Sequence, residues 1–301
     1  MIVGRPASWE AEAEQDQAPN RALNQAPNHA ERRMDSSSEL GAFLKSRRAA
    51  LRPKEVGITP HPTRRRVTGL RREELAMLAN VSITHYTRLE QGRTTGVSDS
   101  LLEAIARTLR LTEDETLHLK DLARPGAETF PARTSSRPAA PPATRISASA
   151  RQLLDAMTEV PALVLDRRND VLAWNRLGHA LLAGHLASDS PEDPATRPNM
   201  TRMLFLDPEY QGLYTNWHDQ AQLAVASLRL VAGRHPDDRS LAELVGQLSM
   251  NSDEFAALWA AHPVRDCTSG VKHLRHPLVG PMELNFENLV FPGTSGQHMI
   301  A

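Results

Sequence analysis

A single asparagine between two short apolar-periodic runs constrains this chain more than any other feature. Leu75, Ala76, Leu78 and Ala79 recur at helical intervals over residues 72–79, which leaves Arg71, Arg72, Glu73 and Glu74 on a wet face. Asn80 then breaks the run, and Asn tolerates the left-handed backbone that a tight turn between helices requires. Val81 plugs the corner, Ser82 is placed to cap the next helix, and Tyr86 and Leu89 carry that helix's buried stripe. Ile83, Thr84, His85, Thr87 and Arg88 are left facing outward. Small Ala76 falls where the two helices approach most closely. The pair reads as a helix-turn-helix whose second helix would enter a major groove.

Together with LEQG at 89–92 and the amphipathic SDSLLEAIARTL at 98–109, these residues resemble the repressor-type helix-turn-helix of the Xre family, in five helices over residues 40–122. The resemblance implies an all-α domain that binds double-stranded DNA. Base contacts are expected from Ile83, Thr84, His85, Thr87 and Arg88, the last because a guanidinium can fork onto guanine O6 and N7. Phosphate contacts are expected from Arg64, Arg65 and Arg66, the densest positive charge in the chain. They lie on the loop 52–69, whose three prolines keep it from being helical throughout. Ser82 and Arg93, at the two ends of the reading helix, join them. One such motif reads few base pairs, so a homodimer on an inverted repeat is expected.

Charge divides the chain in the same place. Residues 36–124 carry 16 Lys plus Arg against 11 Asp plus Glu, a net of +5, and residues 150–301 carry 12 against 18, a net of -6, within an overall charge of -1. A basic N-terminal half suits phosphate, and an acidic C-terminal half does not. Cys267 is the only cysteine, so no intrachain disulfide can form and a reducing compartment fits. No apolar run approaches the ~18 residues of a membrane span, and the first residues lack a signal-peptide core. The expected location is the cytoplasm.

In chain order, residues 1–35 are expected to be a disordered tail, too poor in large apolar groups to offset ordering entropy. Met34, followed by DSSSEL, reads as a natural start. Ser37 or Ser38 is expected to cap a first helix with Leu40, Phe43, Leu44, the Arg47 stem and Leu51 on its stripe. The helix-turn-helix domain is assigned to 36–124, with Thr112 and Glu115 at capping-box spacing for its fifth helix. Residues 125–149 are rich in Pro, Ala and Ser and read as a linker.

The second domain, 150–301, shows a helix over 153–160 and two short strands, 162–166 and 170–174, about the turn Arg167-Arg168-Asn169. Asn175 opens a helix, another covers 200–206, two long ones cover 217–232 and 241–250, and a shorter one covers 252–262. Residues 271–276 and 282–291 read as an antiparallel pair, giving an α+β domain with a small sheet. The order VLDRRNDVLAWN, RPNMTRMLFLDPEYQGLYTNW, LRLVAGRHPDD, FAALWAAHPV and GVKHLRHPLVGPMELNFENLVFP resembles the ligand-binding domain of MmyB-like transcription regulators, over about 153–292. That resemblance implies a PAS-like fold and a pocket for an apolar small molecule, with fatty acids as the leading class. The chain ends soon after the last expected strand, so no C-terminal extension is expected.

Bulk for such a pocket would come from Trp174, Met203, Phe205, Tyr210, Trp217 and Trp259, and Asn199 with Arg202 could hold a carboxylate. The same aromatics would equally make plain core, and Arg202 could instead pair with Asp207. His262, Asp266, Cys267 and His273 fall close together, yet no GxSxG or phosphate-loop motif accompanies them, so no catalysis is expected. His273 and His276 fall on opposite faces of a strand, so no metal site is expected, and no cofactor. The leading reading is a DNA-binding regulator that senses an apolar small molecule. The other is a DNA-bound adaptor whose C-terminal domain takes a protein partner.

Overall fold

The computed structural model describes residues 29–58, 67–93, 97–124, 145–266 and 268–301, with side chains from Glu39 onward. Five helices form the N-terminal part: α1 (His29–Ala50), α2 (Arg72–Leu78), α3 (Ile83–Glu90), α4 (Asp99–Leu109) and α5 (Glu113–Ala123), with a 3-10 turn at Pro53–Val56. The caps are those the sequence specifies. Ser82 Oγ accepts from His85 N, and Thr112 and Glu115 exchange two bonds at the start of α5, each cap being worth about 1 kcal/mol. Asn80 takes φ 55°, the left-handed turn expected between α2 and α3.

Along α1 and α2 the structure departs from expectation. α1 begins at His29, so the end of the stretch expected to be disordered is helical, and Ser37 and Ser38 stand inside the helix rather than at its cap. Ala, Glu, Arg and Met are good helix formers, and the helix continues backward through them. Leu78 is 38% exposed while Leu75, Ala76 and Ala79 are buried, because only part of α2's apolar surface faces α1, α3 and α4. The triple arginine, Arg64, Arg65 and Arg66, lies outside the described residues.

The core of this part joins Phe43 and Leu44 of α1 to Leu75, Tyr86, Leu89, Leu102, Ile105 and Leu119. α1 crosses the end of α3 so closely that a Cβ on Gly41 would sit 2.3 Å from Glu90 O, which only glycine permits. Leu230 and Val264, from far along the chain, complete the same core.

The C-terminal part contains α6 (Ala148–Ala156), β1 (Leu163–Leu165), β2 (Val171–Trp174), α7 (Arg176–Leu182), α8 (Met200–Leu206), α9 (Pro208–Gly212), α10 (Trp217–Arg234), α11 (Arg239–Asn251), α12 (Asp253–Ala260), β3 (Ser269–His276), β4 (Gly280–Val290) and β5 (His298–Ile300). α6 lies earlier than the helix expected over 153–160, because Ser147 caps it by accepting from Ala150 N. It therefore takes in the last residues assigned to the linker.

One five-stranded antiparallel sheet has the order β2-β1-β5-β4-β3, the α+β arrangement implied by the PAS-like resemblance. β5 was not expected. It runs between β1 and β4, with Leu163 and Asn288 both opposite Ile300, and Met299 fully buried. On one face, α8, α10, α11 and α12 pack around Phe205, Tyr210, Leu228, Leu248 and Phe255.

Candidate nucleic-acid interface and domain junction

α3 presents its outer face as its period requires. Ile83 is 47% exposed, Thr84, His85 and Arg88 are exposed and Thr87 is half-buried, while Tyr86 and Leu89 point inward. Arg88 makes no ion pair with a described residue. Arg93 is exposed just past Gly92, whose φ of 67° ends the helix, and Ser82 is exposed at its start. All these expected contacts lie on or beside one helix.

What fixes α3 is a group the sequence reading did not single out. Glu90 accepts from Arg48 Nε at 3.0 Å and Nη2 at 2.8 Å, and from Arg72 Nε at 3.1 Å and Nη2 at 3.0 Å. Arg48 Nη1 also donates to Leu70 O at 2.7 Å. Burial opposes the charge on Glu90, but the hydrogen bonds from Arg48 and Arg72 outweigh it and hold the carboxyl below its usual range. Arg48 is pushed up in return against its own burial. α1, α2 and α3 are thus held together through one carboxylate at the end of the reading helix. The signal was the Glu of LEQG, a charge placed next to Leu89 on the inward side.

In the C-terminal domain the expected pocket residues already have partners within the domain. Trp217 Nε1 donates to Leu204 O and Trp174 Nε1 to Ser188 O. Phe205 meets Trp217 and Phe255 edge-on, Phe255 stacks on Trp259, and Tyr210 and Tyr214 share a 2.7 Å hydrogen bond. Met203 is buried beside them. Asn199 caps α8 and gives its amide to Arg168 O and Asp170 Oδ1, each at 2.8 Å, so an incoming carboxylate would have to displace Asp170. Arg202 donates to Gln247, and Asp207, its other expected partner, holds His185 and caps α9 instead.

The aromatic series ends at a seam between the two parts. Arg229, in the middle of α10, lies with its guanidinium carbon 3.9 Å from the Trp259 ring centre. It donates to Trp259 O, and its Nη1 is 3.1 Å from Glu39 Oε2 on α1. Burial lowers Arg229 to about 10 despite Glu39. Nearby, Arg47 Nη2 reaches His262 O at 2.5 Å and Arg234 Nε reaches Asp121 at 3.2 Å. His118 of α5 is buried against Phe43 edge-on, and a Cβ on Gly233 would come within 2.7 Å of its ring. Burial first, then Arg229, Arg234, Arg47 and His262, push His118 down to about 3, so it is neutral. Sequence alone does not single out Arg229; Leu228 and Leu230 on either side are the local hint of its burial.

Cys267 lies outside the described residues. Among the described residues no three His, Asp or Glu side chains stand together as metal ligands, and no helix is long and apolar enough to cross a membrane. Residues 146–301 match the family described as MmyB-like transcription regulator ligand binding domain, and residues 39–119 match a helix-turn-helix domain family. Both describe binding modules, not enzymes. No curated protein matches the chain.

Proposed function

The chain belongs to the MmyB-like transcription regulator ligand-binding-domain family and carries a DNA-binding helix-turn-helix ahead of that domain, and from this premise we propose that it is a cytoplasmic, homodimeric regulator that reads an inverted repeat and senses an apolar small molecule. The observation that carries the DNA half is the exposed outer face of α3, held by the Glu90 clamp, with Arg88 in no ion pair with a described residue. Ile83, Thr84, His85, Thr87 and Arg88 meet base edges; Arg64, Arg65, Arg66, Ser82 and Arg93 meet phosphates. Selection of bound sequences from a random duplex pool is expected to return two half-sites about one helical turn apart. A pool that stays unenriched overturns it.

A fatty acid is the leading ligand class, from the family resemblance, with Met203 and the aromatics Phe205, Tyr210, Trp217 and Trp259 behind it. Trp259 is the member of that group that reaches an open cleft. Native mass spectrometry of the chain purified from its host is expected to show a single bound apolar mass. The second reading, a protein adaptor, is favoured by the apolar tip of the β3–β4 hairpin, where Leu278 is 87% and Val279 67% exposed. A clean apo mass with no thermal shift from fatty acids moves the weight to that reading.

A further inference from the structure

We propose that the cleft between the two domains is a binding site for a small apolar carboxylate, and that the head group of this ligand takes Arg229 away from Glu39. This rests on the reading of the C-terminal domain as one that takes an apolar small molecule, and it adds the site and the coupling.

The cleft holds about 330 Å³, at the small end of ordinary ligand pockets, and both domains line it: Glu39, His118 and Leu122 from one, Arg229, Val245 and Trp259 among those from the other. Two buried polar atoms in its lining residues have no partner, Arg229 Nε and His118 Nδ1. Both residues are only 2% exposed. Buried polar groups are ordinarily satisfied, so an orphaned guanidinium N–H on a residue that lines the cleft asks for an acceptor. Arg229 Nε–H is a charged donor, and a carboxylate supplies that acceptor. Leu122, Leu241, Val245 and the Trp259 ring offer apolar wall to a hydrocarbon body; the other polar lining residues are His235 and Asp238, whose carboxylate is paired with Arg167 at 2.6 Å.

Glu39 is the competitor. Its side chain is 49% exposed while that of Arg229 is 2% exposed, so Glu39 can turn to water when another carboxylate arrives, and Arg229 cannot. The exchange replaces an ion pair between α1 and α10 with one between α10 and the ligand. A ligand that binds the parted junction better than the closed one shifts the population between them, and this couples the cleft to the reading helix.

The test is calorimetric titration of the full chain with decanoate, comparing wild type with Gly246→Leu and Glu39→Gln. Gly246 lines the cleft from α11, and nothing lies within 4 Å of where its Cβ would be. Leu there adds bulk at the cleft wall and is a better helix former than Gly, so the variant is expected to fold. Gly246→Leu is expected to weaken decanoate about tenfold or more, and Glu39→Gln to tighten it at least about fivefold. Binding untouched by both substitutions places the ligand elsewhere and overturns the proposal, while leaving the ligand-domain reading standing. Weakening by Gly246→Leu without tightening by Glu39→Gln overturns the head-group exchange. No decanoate heat in wild type overturns the carboxylate site; the bound mass from the host-purified chain judges the broader reading independently.

Discussion

The protein buries two arginines beside glutamates and treats them in opposite ways. Arg48, in the DNA-binding part, gives Nε and Nη2 to Glu90 and Nη1 to Leu70 O, and Glu90 is itself almost wholly buried and shared with Arg72. Arg229, at the seam, keeps Nε unpartnered, leans on the Trp259 ring and has a glutamate partner half in water. The first arrangement is closed and fixes a helix. The second is incomplete and can be rearranged, which makes it the place where a bound molecule could act.

The largest effect expected from this contrast is that of Glu90→Ala. It strands Arg48 without its carboxylate and should cost about 3–5 kcal/mol, read by urea unfolding. A loss near zero would mean that the clamp is ornamental. Arg88, an exposed arginine with no such partner, gives the complementary case. Arg88→Ala should leave stability unchanged but lose about 1–3 kcal/mol at one guanine position of the selected site, measured against single-base variants.

Much of this was legible from sequence where the determinant is local. Asn80, Ser82, Thr112 with Glu115, and Asn175 each act on backbone within a few residues, and the structure has each at the turn or cap its chemistry suits. β5 was not legible, because three residues show no period and their partners are residues 163–165 and 288–290, far back along the chain. α9 escaped for the same shortness. Arg229 escaped for another reason: a charge between two leucines is buried because Trp259 of α12 and helices α1 and α5 of the other domain cover it, and no local pattern encodes that docking. Leu78 was misplaced because helical period gives a face and not the width of the surface that covers it.

Acid should separate the two regions further. His118 sits at about 3 in the folded chain, against about 6.5 unfolded. Between those values the unfolded chain takes up a proton that the native chain refuses. The stabilising contribution is complete above about pH 6.5 and is lost as pH falls through this window, by up to about 1.4 kcal/mol per pH unit. Glu90, held below its usual range, gives up its contribution only at lower pH, where carboxylates protonate. Thermal melts from pH 7 to 5 should therefore fall in wild type and fall less steeply in His118→Phe, where His235, His262 and His298, also pushed down by burial, still contribute; equal slopes would contradict the assignment. The smallest effect is expected from Arg229→Met. The exposed half of Glu39 keeps it solvated and the orphaned Nε disappears, so stability should change by less than about 1 kcal/mol, or rise. A loss as large as that of Glu90→Ala would erase the contrast.

Operator binding with the ligand site filled or blocked tests the central claim most directly. Fluorescence anisotropy of the full chain on its selected inverted repeat should show decanoate changing the wild-type affinity by at least about fivefold, with no change in Gly246→Leu. The same affinity with and without decanoate, under conditions where calorimetry shows it bound to wild type, would contradict the account.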